Sequence, residues 1–162
     1  MYSPARVTEA AELRPDLGVA GRRAFDVFGR ASDGNRRNLN LPIHRREALR
    51  VVEEGDPEWI IGSPPCTALS TVNAWNRPRM KPGRTEEQSC EGRTHLAFCA
   101  KLHRSQVARW RYFLHEHPET ASSWREPMML KLLAHPRVKT TVDDQCQYGL
   151  TYCNASGQGG PS

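Results

Sequence analysis

Two short segments place reactive side chains at the end of a predicted strand. The apolar run Trp59–Ile61 leads into Pro64-Pro65-Cys66, and a second predicted strand that starts at Arg111 carries Glu116-His117 and is ended by Pro118. A thiol is a nucleophile and a carboxyl group can donate a proton, so Cys66 and Glu116 could attack and protonate one heterocyclic substrate. The same pattern also fits a buried structural cysteine after an ordinary turn. The two interpretations depend on whether the segments meet in the fold.

The elements around these segments predict that they do meet. The run Trp59–Ile61 is typical of a buried strand and the segment from Arg111 of a second strand, and prolines end both because proline lacks a backbone N–H. Between the runs, apolar residues repeat at three and four over Thr94–Trp110, which predicts a helix. A strand, a helix and a second strand favour a parallel pair, whose loops leave the sheet at the same edge. Open α/β sheets bind their ligands at that carboxyl edge.

Further elements alternate along the rest of the chain. Pattern and capping residues predict helices over Glu9–Leu13, His44–Glu54 and Pro127–Ala134, and strands over Ala24–Phe28 and Val138–Val142. The alternation predicts a three-layer α/β sandwich around a mostly parallel sheet. We expect one α/β domain over residues 1–153, interrupted by a long basic loop at 71–92 and followed by a disordered tail at 154–162.

Composition bounds the class of protein. The chain has 162 residues, of which 38% are hydrophobic, and its mean hydropathy is −0.68. No apolar run is as long as a membrane span, and the first residues lack the pattern of a signal peptide. These features predict a soluble intracellular protein that does not engage a membrane. They leave open whether it is nuclear or cytoplasmic and how many copies associate.

The cysteines argue against a disulfide framework. There are five, an odd number, at Cys66, Cys90, Cys99, Cys146 and Cys153, and they form no Cys-x-x-Cys pair. A disulfide scaffold or a four-cysteine zinc site therefore does not fit, and reduced thiols are expected.

Basic residues point to a nucleic acid partner. The net charge is +5, and the predicted loop carries Trp75 among Arg77, Arg79, Lys81 and Arg84. Such a loop could hold a nucleic acid strand by phosphate contacts and base stacking. A solvated loop with one tryptophan packed against the body explains the same residues, and both interpretations stay open.

A metal site is a further alternative. His95, Cys99 and His103 lie four apart on one helical face, and His115 and His117 flank Glu116. Zinc needs three or four such ligands that converge. However, His103 shares an apolar stripe with Val107 and Trp110, which favours a hydrogen-bonded core histidine. The sequence therefore predicts no metal site, and it predicts that Trp110, like Trp124, packs in or near the core.

Two motifs resemble those of the cytosine-5 DNA methyltransferase family, which has a Pro-Cys motif with a serine shortly after it and a later Glu-Asn-Val motif. Pro65-Cys66 with Ser70, and Glu116-His117-Pro118, are similar to these. The span from Tyr2 to Gly149 resembles more closely the divergent methyltransferase-like domains of phages and algal retroelement polyproteins. It shares their Gly-Ser-Pro-x-Cys-Thr, Phe-Leu-His-Glu-His-Pro and Asp-Gln-Cys-x-Tyr-Gly motifs. The resemblance implies a Rossmann-like fold of the S-adenosylmethionine-dependent methyltransferase type, possibly truncated.

The resemblance also implies roles for individual residues. Cys66 would attack C6 of a cytosine flipped out of its stack, and Glu116 would hydrogen-bond and protonate the base so that C5 becomes nucleophilic. S-adenosylmethionine would lie along the amino-terminal strand ends, with Asp26 holding its ribose hydroxyls. The other implied cofactor contacts are Ser3, Ser63 and Pro64. DNA or another nucleic acid would be the partner, and an active chain would be a DNA cytosine-5 methyltransferase-like transferase.

The chain departs from the family at three places. The family's glycine-rich first motif is replaced by Tyr2-Ser3-Pro4-Ala5, His117-Pro118 replaces Asn-Val, and the late Gln-x-Arg-x-Arg motif is missing. These departures support an alternative, a non-catalytic remnant of a mobile-element polyprotein that keeps the fold and binds nucleic acid. The retention of both Cys66 and Glu116 favours the enzyme.

Overall fold

The structure, a computed structural model, describes residues 10–18, 20–21, 31–65, 69, 83–143, 152–153 and 159–160. These residues combine helices with short strands in a mixed α/β arrangement. In chain order the elements are α1 (Pro42–Gly55), β1 (Trp59–Gly62), α2 (Arg84–Ala108), β2 (Tyr112–His115), α3 (Pro127–Leu133), β3 (Tyr152–Cys153) and β4 (Gly159–Gly160). Short 3-10 helices cover Pro15–Leu17 and Ser122–Arg125. Among the helices described, none is both long and apolar enough to cross a membrane.

The parallel pairing of the two central strands is confirmed. β1 and β2 pair in register from Trp59 opposite Tyr112 to Gly62 opposite His115. Side chains alternate along both strands, so the half-exposed Trp59 and Tyr112 stack on one face with ring centroids 4.6 Å apart. On the other face Gly62 lies against α2. The helix therefore covers one face of the strand pair.

Proline fixes the start of two helices as predicted. Pro42 and Pro127 occupy the first turns of α1 and α3, where the missing N–H costs no hydrogen bond. α1 ends at Gly55, and Asp56 follows it in the left-handed region with φ of 37°. The predicted helices over these two segments are confirmed.

α2 begins earlier than the sequence pattern indicates. It starts at Arg84, so residues 84–92 are helical and the prediction of a loop over them is wrong. Most of these residues are exposed and polar, so they give no apolar stripe to read. Glu86 and Glu87 in the first turn favour the helix because acidic side chains complement its positive end.

A further prediction fails at the carboxyl side of the chain. Residues 138–142 form no strand, and the backbone N–H of Val138 instead donates to the carbonyl of His135 in a turn. β-branched composition does not make a strand without a paired neighbour. Within the predicted disordered tail, Gly159–Gly160 pairs antiparallel with Tyr152–Cys153. The predicted strand over Ala24–Phe28 lies outside the described residues.

The core lies between α2, α3 and the loop after β1. Leu69, Leu96, Ala100, Met129 and Leu132 are buried together there. The predicted near-core position of Trp124 is confirmed, because its ring packs against this cluster.

The same prediction is wrong for Trp110. Its side chain is 76% exposed, because α2 ends at Ala108 and the backbone of Trp110 turns into the left-handed region with φ of 60°. The guanidinium of Arg137 lies 4.0 Å from the ring centroid. Trp110 therefore contributes a cation–π contact at the surface.

One buried amide joins α2 to both strands. The side chain of Gln106 is fully buried, and its Nε2 donates to the carbonyl oxygens of Pro57 and Tyr112, each at 3.0 Å. These two carbonyls lie at the beginnings of β1 and β2. Gln106 therefore fixes the amino ends of the strands and, through them, their register.

Replacing Gln106 by methionine should lower the free energy of unfolding by about 1–2 kcal/mol. The two carbonyls would lose their donor, while the change also removes Oε1, which has no partner in the described part of the chain. Urea unfolding measures the effect, with Lys101→Met on the exposed side of α2 as the control. Equal stability of the two variants would contradict this role.

Candidate active site

The carboxyl ends of β1 and β2 bring two predicted site residues together. The ladder continues one step beyond the strands, where the Glu116 N–H donates to the Gly62 carbonyl at 3.1 Å. The Ser63 hydroxyl then donates to Glu116 Oε2 at 2.7 Å. Both residues are exposed. A carboxylate oriented by a serine therefore faces solvent at the edge where open α/β sheets bind ligands.

His117 ties the same two loops together from inside. Its Nε2 lies 2.8 Å from the Pro64 carbonyl oxygen and its Nδ1 lies 2.5 Å from Ser123 Oγ. A carbonyl can only accept, so Nε2 carries the proton and Nδ1 accepts from the Ser123 hydroxyl. Burial lowers the pKa of His117, which favours this neutral form.

The loop that contains Cys66 is anchored on both sides of it. Before the cysteine, Ser63 and Pro64 are bonded to Glu116 and His117. After it, the Leu69 carbonyl accepts from the Ser122 hydroxyl at 2.9 Å. Cys66 itself lies outside the described residues. All three tethers come from one segment, residues 116–122, which begins with the candidate acid.

A cleft borders the contact between the Ser122 hydroxyl and the Leu69 carbonyl. Its volume is about 870 Å³, and it lies between the first half of α2 and residues 122–128. Leu69 and Ser122 line it, and Arg93 Nε is 3.0 Å from Glu126 Oε1 at its wall. Ligand pockets usually have volumes of about 300–1,000 Å³. The cleft is therefore large enough for a nucleobase with its sugar.

Some of the other predicted site residues lie in the described part of the chain, and the rest lie outside it. Arg84 is exposed at the first position of α2, after Gly83 with φ of 82°. Pro64 is buried and its carbonyl oxygen is engaged by His117, whereas Ser63 is exposed and its oxygen keeps lone pairs for a ligand. The residues outside the described part of the chain are Ser3, Asp26, Arg77, Arg79 and Lys81, together with Trp75 and the Asp-Gln-Cys-x-Tyr-Gly motif at 144–149.

A second group of reactive side chains lies beneath this edge. Cys99 and His103 of α2 meet His115 of β2, with one ligand atom of each within 4.8 Å of the others. Burial lowers the pKa of His103 to about 4, and burial together with the neighbouring rings lowers that of His115 to about 3. Burial raises the pKa of the Cys99 thiol to about 12. All three side chains are therefore uncharged at neutral pH.

The prediction for His103 is confirmed for its burial in the core and wrong for its hydrogen bonding. The side chain is fully buried and stacks on Phe113 with ring centroids 4.4 Å apart. Neither of its ring nitrogens has a hydrogen-bond partner among the described residues, and the same holds for His115. A buried polar group left unpaired costs about 1–3 kcal/mol. Packing alone therefore leaves these two histidines unexplained.

Sequence reasoning missed the anchoring role of His117, Ser122 and Ser123. The partners of His117 and Ser122 on the Cys66 loop are backbone carbonyls 53 positions away. Backbone carbonyls carry no sequence signal, so only the predicted strand pairing could have indicated these contacts.

Comparisons with models of protein families, with curated proteins and with solved structures give no match.

Proposed function

We propose that the protein is an S-adenosylmethionine-dependent methyltransferase acting on cytosine in nucleic acid, with a Rossmann-like sheet of which β1 and β2 are two strands. The observation that carries the proposal is the triple tether of the Cys66 loop to residues 116–122. Cys66 is two peptide units from Pro64, so their Cα atoms lie at most about 7 Å apart. The backbone of Cys66 is therefore within two residues of a carbonyl that is bonded to His117, the neighbour of Glu116.

The chain's own residues would act in a fixed order. The Cys66 thiolate adds to C6 of the cytosine while Glu116 donates a proton to the ring nitrogen N3, which makes C5 electron-rich. S-adenosylmethionine would supply the methyl group and leave as S-adenosylhomocysteine, and the motif resemblance implies that Ser63 contacts it. A water molecule would then take the C5 proton, and the electrons of the C5–H bond would expel the Cys66 thiolate. N3 would return its proton to Glu116, which restores the aromatic ring.

Ser63 and His117 would position these two groups. The Ser63 hydroxyl occupies one carboxylate oxygen of Glu116, so the other oxygen is available to the base. His117 holds the Pro64 carbonyl, which fixes the beginning of the loop that leads to the nucleophile. Such prearranged geometry is how enzymes lower the entropic cost of reaction.

Calorimetric titration of the full chain with S-adenosylmethionine tests the proposal. Saturable binding with one site per chain is the expected result, and S-adenosylhomocysteine should compete for it. A folded protein that binds neither molecule would contradict the proposal. The non-catalytic remnant would then explain the chain better, since the glycine-rich first motif is replaced by Tyr2-Ser3-Pro4-Ala5.

Arg84 should contribute one phosphate contact. A cation at the amino end of α2 opposes the helix dipole, so its place there is not explained by helix stability. For binding to a DNA oligonucleotide, Arg84→Gln should make the slope of log affinity against log salt concentration shallower by about 1. Arg104→Gln, exposed further along α2, is the matched control. Identical slopes for the wild type and Arg84→Gln would contradict the contact.

A further inference from the structure

A cysteine and two histidines converge between α2 and the end of β2. Cys99 and His103 are one helical turn apart and therefore lie on the same face of α2, and His115 faces them from β2. The sulfur of Cys99 and one ring nitrogen of each histidine all lie within 4.8 Å of one another. Two different elements thus direct three metal-binding atoms into one small volume.

The two histidines have no other partners that would explain them. All four of their ring nitrogens are buried without a hydrogen-bond partner in the described part of the chain. Two other buried histidines show the usual arrangement: His44 has contacts from Nδ1 to the Asn38 backbone and from Nε2 to Asp33, and His117 has contacts at both ring nitrogens. A neutral imidazole carries one donor and one acceptor, and buried ones are normally satisfied. The exception at His103 and His115 indicates a ligand.

Gly62 of β1 allows the Cys99 and His103 side chains to approach the strand closely. A Cβ atom at this position would lie 2.8 Å from Cys99 Sγ and 2.8 Å from His103 Nε2. Both donor atoms therefore lie against the same residue of the strand. Any larger residue would displace them.

We propose that Cys99, His103 and His115 bind a zinc ion. A thiolate with two neutral imidazoles is a donor set that suits zinc, whereas magnesium and calcium prefer oxygen. With zinc–sulfur and zinc–nitrogen bonds of about 2.3 and 2.1 Å, tetrahedral ligands are separated by roughly 3.5 Å. The three donor atoms, which lie within 4.8 Å of one another, would move together to that separation on binding, and the fourth position would take water or another donor.

Binding would release one proton and connect two elements. Cys99 releases its proton and coordinates as thiolate, while both histidines remain neutral and donate a lone pair. The ion would join α2 to the end of β2 directly beneath Ser63 and Glu116. This inference does not rest on the proposed methyltransferase function.

Cobalt titration of the chelator-treated full chain tests the site. We expect one Co²⁺ per chain, with a sulfur-to-cobalt charge-transfer band in the near ultraviolet and the intense visible bands of a tetrahedral site, all removed by added Zn²⁺. Zinc should also raise the melting temperature. A folded wild-type protein that binds no cobalt, or binds it with the spectrum of an octahedral site without sulfur, would overturn the proposal.

Variants identify the ligands. Cys99→Ser should lose the charge-transfer band, and His103→Gln and His115→Gln should each weaken cobalt affinity at least about tenfold. Cys90→Ser, at an exposed cysteine of the same helix, should retain both the band and the affinity. If Cys99→Ser keeps the band, or if both histidine variants keep wild-type affinity, the ion is bound elsewhere and the proposal fails. The histidine variants decide the matter if Cys99→Ser does not fold.

Discussion

Replacing Glu116 by glutamine is expected to lower the rate of methyl transfer by about 10²–10⁴-fold. Glutamine has the same shape and can still accept a hydrogen bond from Ser63, but it cannot transfer a proton to the base. Because Glu116 is exposed, the free energy of unfolding should change by no more than about 0.5 kcal/mol. Transfer of a labelled methyl group to a cytosine-containing duplex measures the rate.

Glu119→Gln is the matched control for this variant. Glu119 is exposed in the same loop, three positions further on, and should retain the wild-type rate. A Glu116→Gln protein with more than one tenth of the wild-type rate would show that the carboxyl group is not the acid.

Replacing His117 by leucine should lower the free energy of unfolding by about 2–5 kcal/mol. The change leaves the Pro64 carbonyl and the Ser123 hydroxyl without their partner, and each buried unpaired group costs about 1–3 kcal/mol. Pro64 and Ser123 are both buried, so water does not readily replace the imidazole. Urea unfolding followed by circular dichroism measures the loss.

A double-mutant cycle separates this anchor from simple loss of packing. Ser123→Ala removes one of the two groups that His117→Leu leaves unpaired, so the double variant should be more stable than the sum of the single effects predicts. His135→Leu, at an exposed histidine, should cost less than about 0.5 kcal/mol. Strict additivity, or an equal loss in His135→Leu, would contradict the anchoring role of His117.

The sequence was informative where apolar pattern and proline act together. Trp59–Ile61 and the segment that starts at Arg111 were predicted as strands ended by prolines, and they form the parallel pair β1 and β2. The long helix between them made parallel pairing the expected topology. This was enough to predict that the segments carrying Ser63 and Glu116 meet at one edge.

Two kinds of feature could not be predicted from the sequence. One is a hydrogen bond that ends on a backbone atom, and the other is a helical segment without an apolar face. The first turns of α2 at Arg84 are solvated and polar, so intrinsic propensity rather than periodicity determines them. The tethers from His117 and Ser122 end on carbonyls, which any residue type would provide. The histidine cluster was seen as a helical spacing, but only the fold shows that His115 joins Cys99 and His103 and that His95 is not part of the group.

Covalent capture on DNA containing 5-fluorocytosine tests the central claim most directly, namely that Cys66 attacks a cytosine beside Glu116. Fluorine at C5 cannot leave as a proton does, so the thiol adduct at C6 persists after methyl transfer. With S-adenosylmethionine present, the wild type and Cys90→Ser should form a complex that survives denaturing electrophoresis, whereas Cys66→Ser should form none. A folded wild-type protein that forms no adduct, or an adduct that persists in Cys66→Ser, would contradict the account.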